Sequence, residues 1–277
     1  APYLQETHLK QKLMTGLIGV ALTLAAASTS AQDIQDRVIK FGHLNNADHP
    51  VSLGVKRFAE LLVAKSGGKL KVQEFPASQL GNEAQQLGAL RGGTQELFIP
   101  TTTSLASVIK EFGLLDFPFL VSTTAQAEAL LDGPAGAALL ERLPAKGLIG
   151  LGYWENGFRN LTNSRQPVKG PEDLKGLKIR VMSSAMHQAI WQALGANPTP
   201  MPWPVYTELE QRVIDGQENP LWVMVEYKLW EVQKYLTMSR HVYSPHIDVA
   251  SLNWWKTLDA GTQTMLQQAM REAALFQ

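Results

Sequence analysis

Short strand-like runs alternate with helix-periodic stretches along most of this chain, and that alternation admits one broad fold class. Val38–Gly42 reads as a first strand, followed by a polar loop from His43 to Pro50. Val51, Val55, Phe58 and Leu62 then recur at helical spacing and stop at Gly67-Gly68. Leu70, Val72 and Phe75 predict a second strand. Asn82 is placed to cap a helix carrying Leu87 and Leu90 that ends at Gly92-Gly93. Glu96–Pro100 predicts a further short strand, and Leu114–Leu120 an apolar segment packed in the core. Helices are expected over 124–131 and 134–146, and a strand over 148–154. Ser184 is expected to cap a helix over 185–194, and further on the pattern predicts a helix over 221–235 and a strand over 247–253. Strands separated by helices mean an α/β protein whose sheets are covered on both faces. With 277 residues the chain is long enough for two modest domains.

Composition narrows the function. The formal net charge is +0, which argues against a nucleic-acid surface. There is no cysteine, so disulfides and thiolate metal sites are excluded. His43 and His49, and His241 and His246, lack metal-site spacing backed by a carboxylate on one helix, and are expected to be surface or satisfied histidines. Gly150-Leu151-Gly152 lacks the third glycine of a dinucleotide fingerprint, and no nucleophile elbow or phosphate-loop lysine is found. No metal and no cofactor are expected. Near the N-terminus, Lys10 and Lys12 precede an apolar run from Leu13 to Ala27 and a small-residue exit at Ser28–Ala31. That order predicts a secretory signal peptide over residues 1–31, cut after Ala31 or Ala27, and hence an exported mature protein. A retained membrane anchor is the alternative. Met14 lies inside the apolar run, so residues 1–9 are expected to stand outside the natural leader.

Three segments carry candidate chemistry. In the first, Tyr206, Leu209 and Val213 fall at helical spacing, Gly216 offers a stop, and Pro220 biases Asn219 towards extended backbone. A short extended piece bearing Gln217, Glu218 and Asn219 is therefore predicted, with alternate side chains facing opposite ways. In the second, Leu177, Ile179 and Val181 share one face of a predicted strand while Lys178, Arg180 and Met182 share the other. In the third, the apolar run Leu148–Leu151 gives way to Tyr153, Trp154 and then Arg159. Thr101–Ser104 follow a predicted strand at its carboxyl end, where α/β proteins bind ligands. They are either hydrogen-bond donors to a ligand or a capped turn. Trp203, stiffly held between prolines, is either an apolar wall or core filling, and the other tryptophans are expected to be packing.

The stretches FPASQLGNEAQQLGALRGGT, NGFRNLTN, LKGLKIRVMSS and GANPTPMPWPVYTELEQRVIDGQENPL, in this order, resemble the DctP-type solute-binding proteins of tripartite ATP-independent periplasmic (TRAP) transporters. The resemblance runs from about Val38 to the end of the chain. It implies a two-lobed, periplasmic-binding-protein-like clamshell with hinge crossings. Lobe I is expected over 38–156 plus 245–277 and lobe II over 157–244. The helical pattern Thr264–Phe276 breaks off at Gln277, so the usual C-terminal completion is expected to be absent. The implied function is capture of a small organic acid in the periplasm and its delivery to membrane permease subunits. A monomer is expected, with no nucleic-acid partner and no catalysis.

The resemblance places Arg180 at the carboxylate-clamping arginine and Arg159 at a second arginine of the site. Asn219 falls on an asparagine that helps hold the ligand, Trp203 on a cleft aromatic, and His43, Asn45 and their neighbours on the first ligand-facing loop. Thr101 and Glu218 complete the candidate site, Glu218 as a group that orients an arginine. Arg159 either meets the ligand or braces Glu155 or Glu218. The chemistry suits these residue types: a carboxylate removed from water needs charge-assisted hydrogen bonds, and a guanidinium fork matches its two oxygens. Pyroglutamate, 2-oxo acids and hydroxy acids are the first candidate ligands, followed by C4 dicarboxylates and sugar acids. A secreted hydrolase or lyase with Glu155 or Glu218 as base, and an acid sensor, are the alternatives.

Overall fold

Residues 34–277 are described in a computed structural model, and the expected signal peptide lies outside them. The sheet is assembled around two long strands, β4 (Leu148–Asn163) and β8 (Tyr235–Ser251), which pair antiparallel along most of their length. On one side of this ladder lie β1 (Arg37–Gly42), β2 (Leu70–Phe75) and β3 (Leu97–Phe98). On the other lie β5 (Lys178–Val181), β6 (Asn197–Pro200) and β7 (Gly216–Asn219). The spatial order is β2-β1-β3-β8-β4-β7-β5-β6. Each outer triplet is internally parallel and joins the ladder antiparallel, β3 on β8 and β7 on β4. The ladder shifts register between Trp154 and Gly157.

Local sequence explains most of these elements. Helix α1 (Pro50–Lys65) opens with proline at its first turn, and His49 Nδ1 accepts from the Val51 N–H. The stripe Val51, Val55, Phe58 and Leu62 is wholly buried, with Phe58 edge-on to Phe41 at 5.8 Å. Helix α2 (Glu83–Gly92) carries a capping box between Asn82 and Gln85 and ends at Gly93, whose φ of 77° suits glycine. One core joins Leu87, Leu90, Phe98, Phe112, Leu148 and Ile247; another joins Leu161, Leu177, Ile179 and Trp191 beneath β5. The prolines of β6 are tolerated because it is an edge strand.

Several sequence expectations are corrected. Strand β4 continues nine residues past Trp154 and β8 begins at Tyr235, because both tolerate bulges that the sequence presents as breaks. The helix expected over 221–235 is only Leu221–Glu226, ended by Lys228 at φ 51°. The helix before β7 covers Tyr206–Glu210; the chain turns at Arg212 (φ 58°), and Val213 is exposed. Gly216 is therefore no helix stop. A Cβ there would sit 2.2 Å from the Thr162 carbonyl oxygen, so glycine is what lets β7 approach β4. The helix expected over 134–146 ends at Leu140. Leu114, Phe117, Phe119 and Leu120 are exposed, as are Trp222 and Trp230, although the sequence predicts them packed.

Candidate functional site

A cavity of about 40 Å³ lies where the outer triplets face each other across the ladder. From one side it is lined by Leu44, Asn45, Glu83 and Thr101, and from the other by Arg180, Met182, Trp203, Asn219 and Val223. Asn156, Arg159 and His246, on the long strands, complete it.

Arg180 sits on β5 and is only 2% exposed. Its Nε and Nη2 both donate to the Met201 carbonyl, at 2.9 and 2.6 Å, and its guanidinium carbon lies 5.4 Å from the Trp203 ring centroid. Among the described residues it makes no ion pair. Burial, with the Arg159 charge nearby, lowers this guanidinium to about 10, still cationic at neutral pH. A buried cation held by neutral groups, beside a cavity, is set to receive an anion.

Arg159 is handled differently. Its Nε donates to Glu218 Oε2 at 2.5 Å, and its Nη2 to Glu218 Oε1 at 2.8 Å and Asn219 Oδ1 at 3.2 Å. His241 Nε2 lies 3.0 Å from Glu218 Oε2, and His187 Nδ1 lies 3.6 Å from Oε1. Burial alone would raise the Glu218 carboxyl, but the Arg159 charge and the two histidines hold it well below the usual carboxylate range. His187 is opposed by burial too, yet Asp116 and Glu218 push it up to about 9. Asp116 also accepts from Thr103 and from Ser184, at 2.6 and 3.2 Å, tying segments of both outer triplets together. Glu218 thus neutralises Arg159 from beneath, while Asn219, next on the strand, faces the cavity and donates to Gln217 Oε1 at 2.6 Å.

A second set of contacts joins the first loop to helix α3 (Leu221–Glu226). Glu226 accepts from the Asn46 N–H and from Asn45 Nδ2, and the Tyr227 hydroxyl donates to the Leu44 carbonyl at 2.7 Å. Burial pushes Glu226 up to about 7.

Of the candidate site residues, Arg180, Arg159, Asn219, Trp203, Asn45 and Thr101 line the cavity. Trp203 packs edge-on against Tyr227 at 4.8 Å. Thr101 shares a hydrogen bond with Ser104, 3.0 Å apart. Two candidates lie off the lining. Glu218 sits below it, on Arg159, and His43 turns instead to Glu74 at 2.9 Å. The four histidines taken for surface or satisfied groups, His43, His49, His241 and His246, are all buried, as is His187. Sequence reading missed Glu83, Asn156 and His246. Glu83 follows the Asn82 cap and looks like ordinary first-turn acidity. Asn156 precedes a glycine and looks like a turn. The Asn156 Oδ1 and His246 Nδ1 atoms are buried without a hydrogen-bond partner, and burial with nearby His49 lowers His246 to about 3.

Among the described residues no group of His, Cys, Asp and Glu is placed to hold a metal, and no helix is long and apolar enough to cross a membrane. The sequence profile of the bacterial extracellular solute-binding proteins, family 7 (DctP), matches residues 41–277. The chain is 42% identical over 255 residues to the 2,3-diketo-L-gulonate-binding periplasmic protein YiaO of Escherichia coli K12, covering 92% of this chain and 77% of that protein. It is 33% identical over 267 residues to the C4-dicarboxylate-binding periplasmic protein DctP of Rhodobacter capsulatus, covering 96% and 80%. The crystal structure of the sugar acid binding protein DctPAm from Advenella mimigardefordensis, in complex with galactonate, matches with a TM-score of 0.86 at 43% identity, covering 88% of this chain and 79% of that one. The two-lobed α/β fold of these receptors is the fold of this chain. By profile, sequence and structure, the chain belongs to the DctP family of bacterial extracellular solute-binding proteins.

Proposed function

We propose that this chain is the periplasmic receptor of a TRAP transporter. It captures one small organic acid by its carboxylate, closes around it, and presents it to the membrane permease. The carrying observation is Arg180: a buried guanidinium on the cavity wall, without an ion pair among the described residues and oriented by the Met201 carbonyl. Its placement before the ligand arrives reduces the ordering cost of binding. Arg159 supports the same end of the ligand, already neutralised by Glu218.

Closure is a population shift driven by contacts made from both sides at once. The lobes are 38–156 with 245–277, and 157–244. The register shift between Trp154 and Gly157 and the contacts of Asp116 and Glu226 favour this division. The hydrolase reading loses its bases. Glu218 is held ionised beneath Arg159, and Glu155 is exposed and does not line the cavity.

Thermal-shift screening against organic acids, then calorimetry on the best ligand, tests the proposal. Arg180→Ala should weaken binding by about 150- to 5,000-fold, the equivalent of about 3–5 kcal/mol, because the ligand charge is left buried and unpaired. Wild-type affinity in that variant would reject the clamp.

A further inference from the structure

Asp116 is a buried carboxylate that does not line the cavity. It ends the 3-10 turn Lys110–Asp116, in the stretch assigned above to lobe I. Its Oδ1 accepts from the Thr103 hydroxyl at 2.6 Å, a contact within that lobe. Its other contacts cross to lobe II. Oδ2 accepts from the Ser184 hydroxyl at 3.2 Å, and His187 Nε2 stands 3.5 Å from Oδ1, an ion contact rather than a hydrogen bond. Ser184 caps the helix Ala185–Ala193 by accepting the His187 N–H at 3.3 Å. The start of that helix therefore presents a hydroxyl and an imidazole to the same carboxylate.

The charges behind His187 belong to lobe II. Its Nδ1 lies 3.6 Å from Glu218 Oε1, and Glu218 pairs with Arg159, which lines the cavity. His241, the other imidazole at Glu218, sits at Oε2, away from Asp116's side of the network. Arg159, Glu218, His187 and Asp116 thus alternate in sign along one buried chain that starts at the cavity and ends in lobe I. Of these four, lobe II holds two cations and one anion, and lobe I supplies the balancing charge. Without Asp116, a buried imidazolium is left to share one carboxylate with Arg159, which opposes closure.

We propose that Asp116 is a positioning residue for ligand capture, an interlobe latch that engages His187 on closure and raises affinity without touching the ligand. This rests on the receptor reading and the lobe division above. The latch also carries a pH signature. Asp116 and Glu218 together push His187 up to about 9, and the Asp116 share exists only when the lobes meet. Closure therefore gains most below the value His187 holds with the lobes apart, and loses that gain as pH rises through about 9.

Asp116→Asn keeps an oxygen for Thr103 and removes the charge that faces His187. Calorimetric titration with D-galactonate, D-erythronate and succinate tests the latch, on wild type, Asp116→Asn, His187→Gln, their double variant and Arg180→Ala. Asp116→Asn should leave the ligand-free unfolding temperature unchanged and weaken the best-bound acid by about 10- to 100-fold at pH 7. That deficit should shrink as pH rises through about 9, and in the His187→Gln background the same change should cost less than about threefold. Wild-type affinity in Asp116→Asn, an equal loss in the His187→Gln background, a deficit constant with pH, or a lowered ligand-free unfolding temperature each overturns the latch. Any of these, with Arg180→Ala still losing the acid, leaves the receptor reading standing. A wild type that binds none of the three acids overturns that reading and the latch with it.

Discussion

Replacing Glu218 by glutamine keeps the size of the side chain and removes its charge. The carboxylate is fully buried, receives Arg159 Nε and Nη2 at 2.5 and 2.8 Å, and lies 3.0 Å from His241 Nε2. An amide offers one oxygen where two stood, and its NH2 meets donors. Arg159 cannot shed its proton, so it stays charged and buried without a counter-ion. Breaking a buried pair from one side costs about 3–5 kcal/mol, a large share of the roughly 5–15 kcal/mol that holds a domain folded. For a chain of this size the unfolding temperature should fall by about 6–20 °C. Thermal unfolding followed by circular dichroism at pH 7 measures it. A double variant, Arg159→Met with Glu218→Leu, removes both charges together and should recover much of the loss. A drop under about 1 kcal/mol in Glu218→Gln, or a double variant as damaged as the two single changes summed, refutes the reasoning.

Two further outcomes follow from the same geometry. Gly216→Ala forces β7 away from the Thr162 carbonyl, 2.2 Å from the new Cβ; it should cost about 2–3 kcal/mol in urea unfolding and weaken ligand binding, because β7 carries Asn219 into the cavity. His187 is held above its ordinary value, at about 9, so the stability from its ionised form is fully present below about pH 6.5 and is lost as pH rises through about 9. The difference in unfolding free energy between wild type and His187→Gln should therefore shrink across that window, and a difference constant with pH contradicts the assignment.

The parts of the site legible in the sequence are those written in local pattern. Lys178–Val181 alternates polar and apolar residues in sequence, so strand and arginine could be placed together, although only Lys178 is exposed and Ile179, Arg180 and Val181 are all buried. Gly216–Asn219 was legible as an extended piece, although the glycine owes its place to a neighbouring strand rather than to a helix end. The long ladder was not legible. Gly150, Gly152 and Gly157 interrupt β4 where it shifts register against β8, and those same glycines look like turns in one dimension. Partnership across the chain was equally hidden. Nothing near Glu83 in sequence announces Arg180, and nothing near Asp116 announces Ser184 and His187; tertiary contact alone joins them. His43 and Asn45 lie two residues apart, but only Asn45 lines the cavity, because Glu74 holds the His43 ring.

A crystal structure of the protein with its best-binding acid tests the central claim most directly. The account predicts the ligand carboxylate within about 2.7–3.2 Å of the Arg180 guanidinium, with Arg159 and Asn219 beside it. A carboxylate bound elsewhere, with Arg180 still turned wholly to Met201, contradicts it.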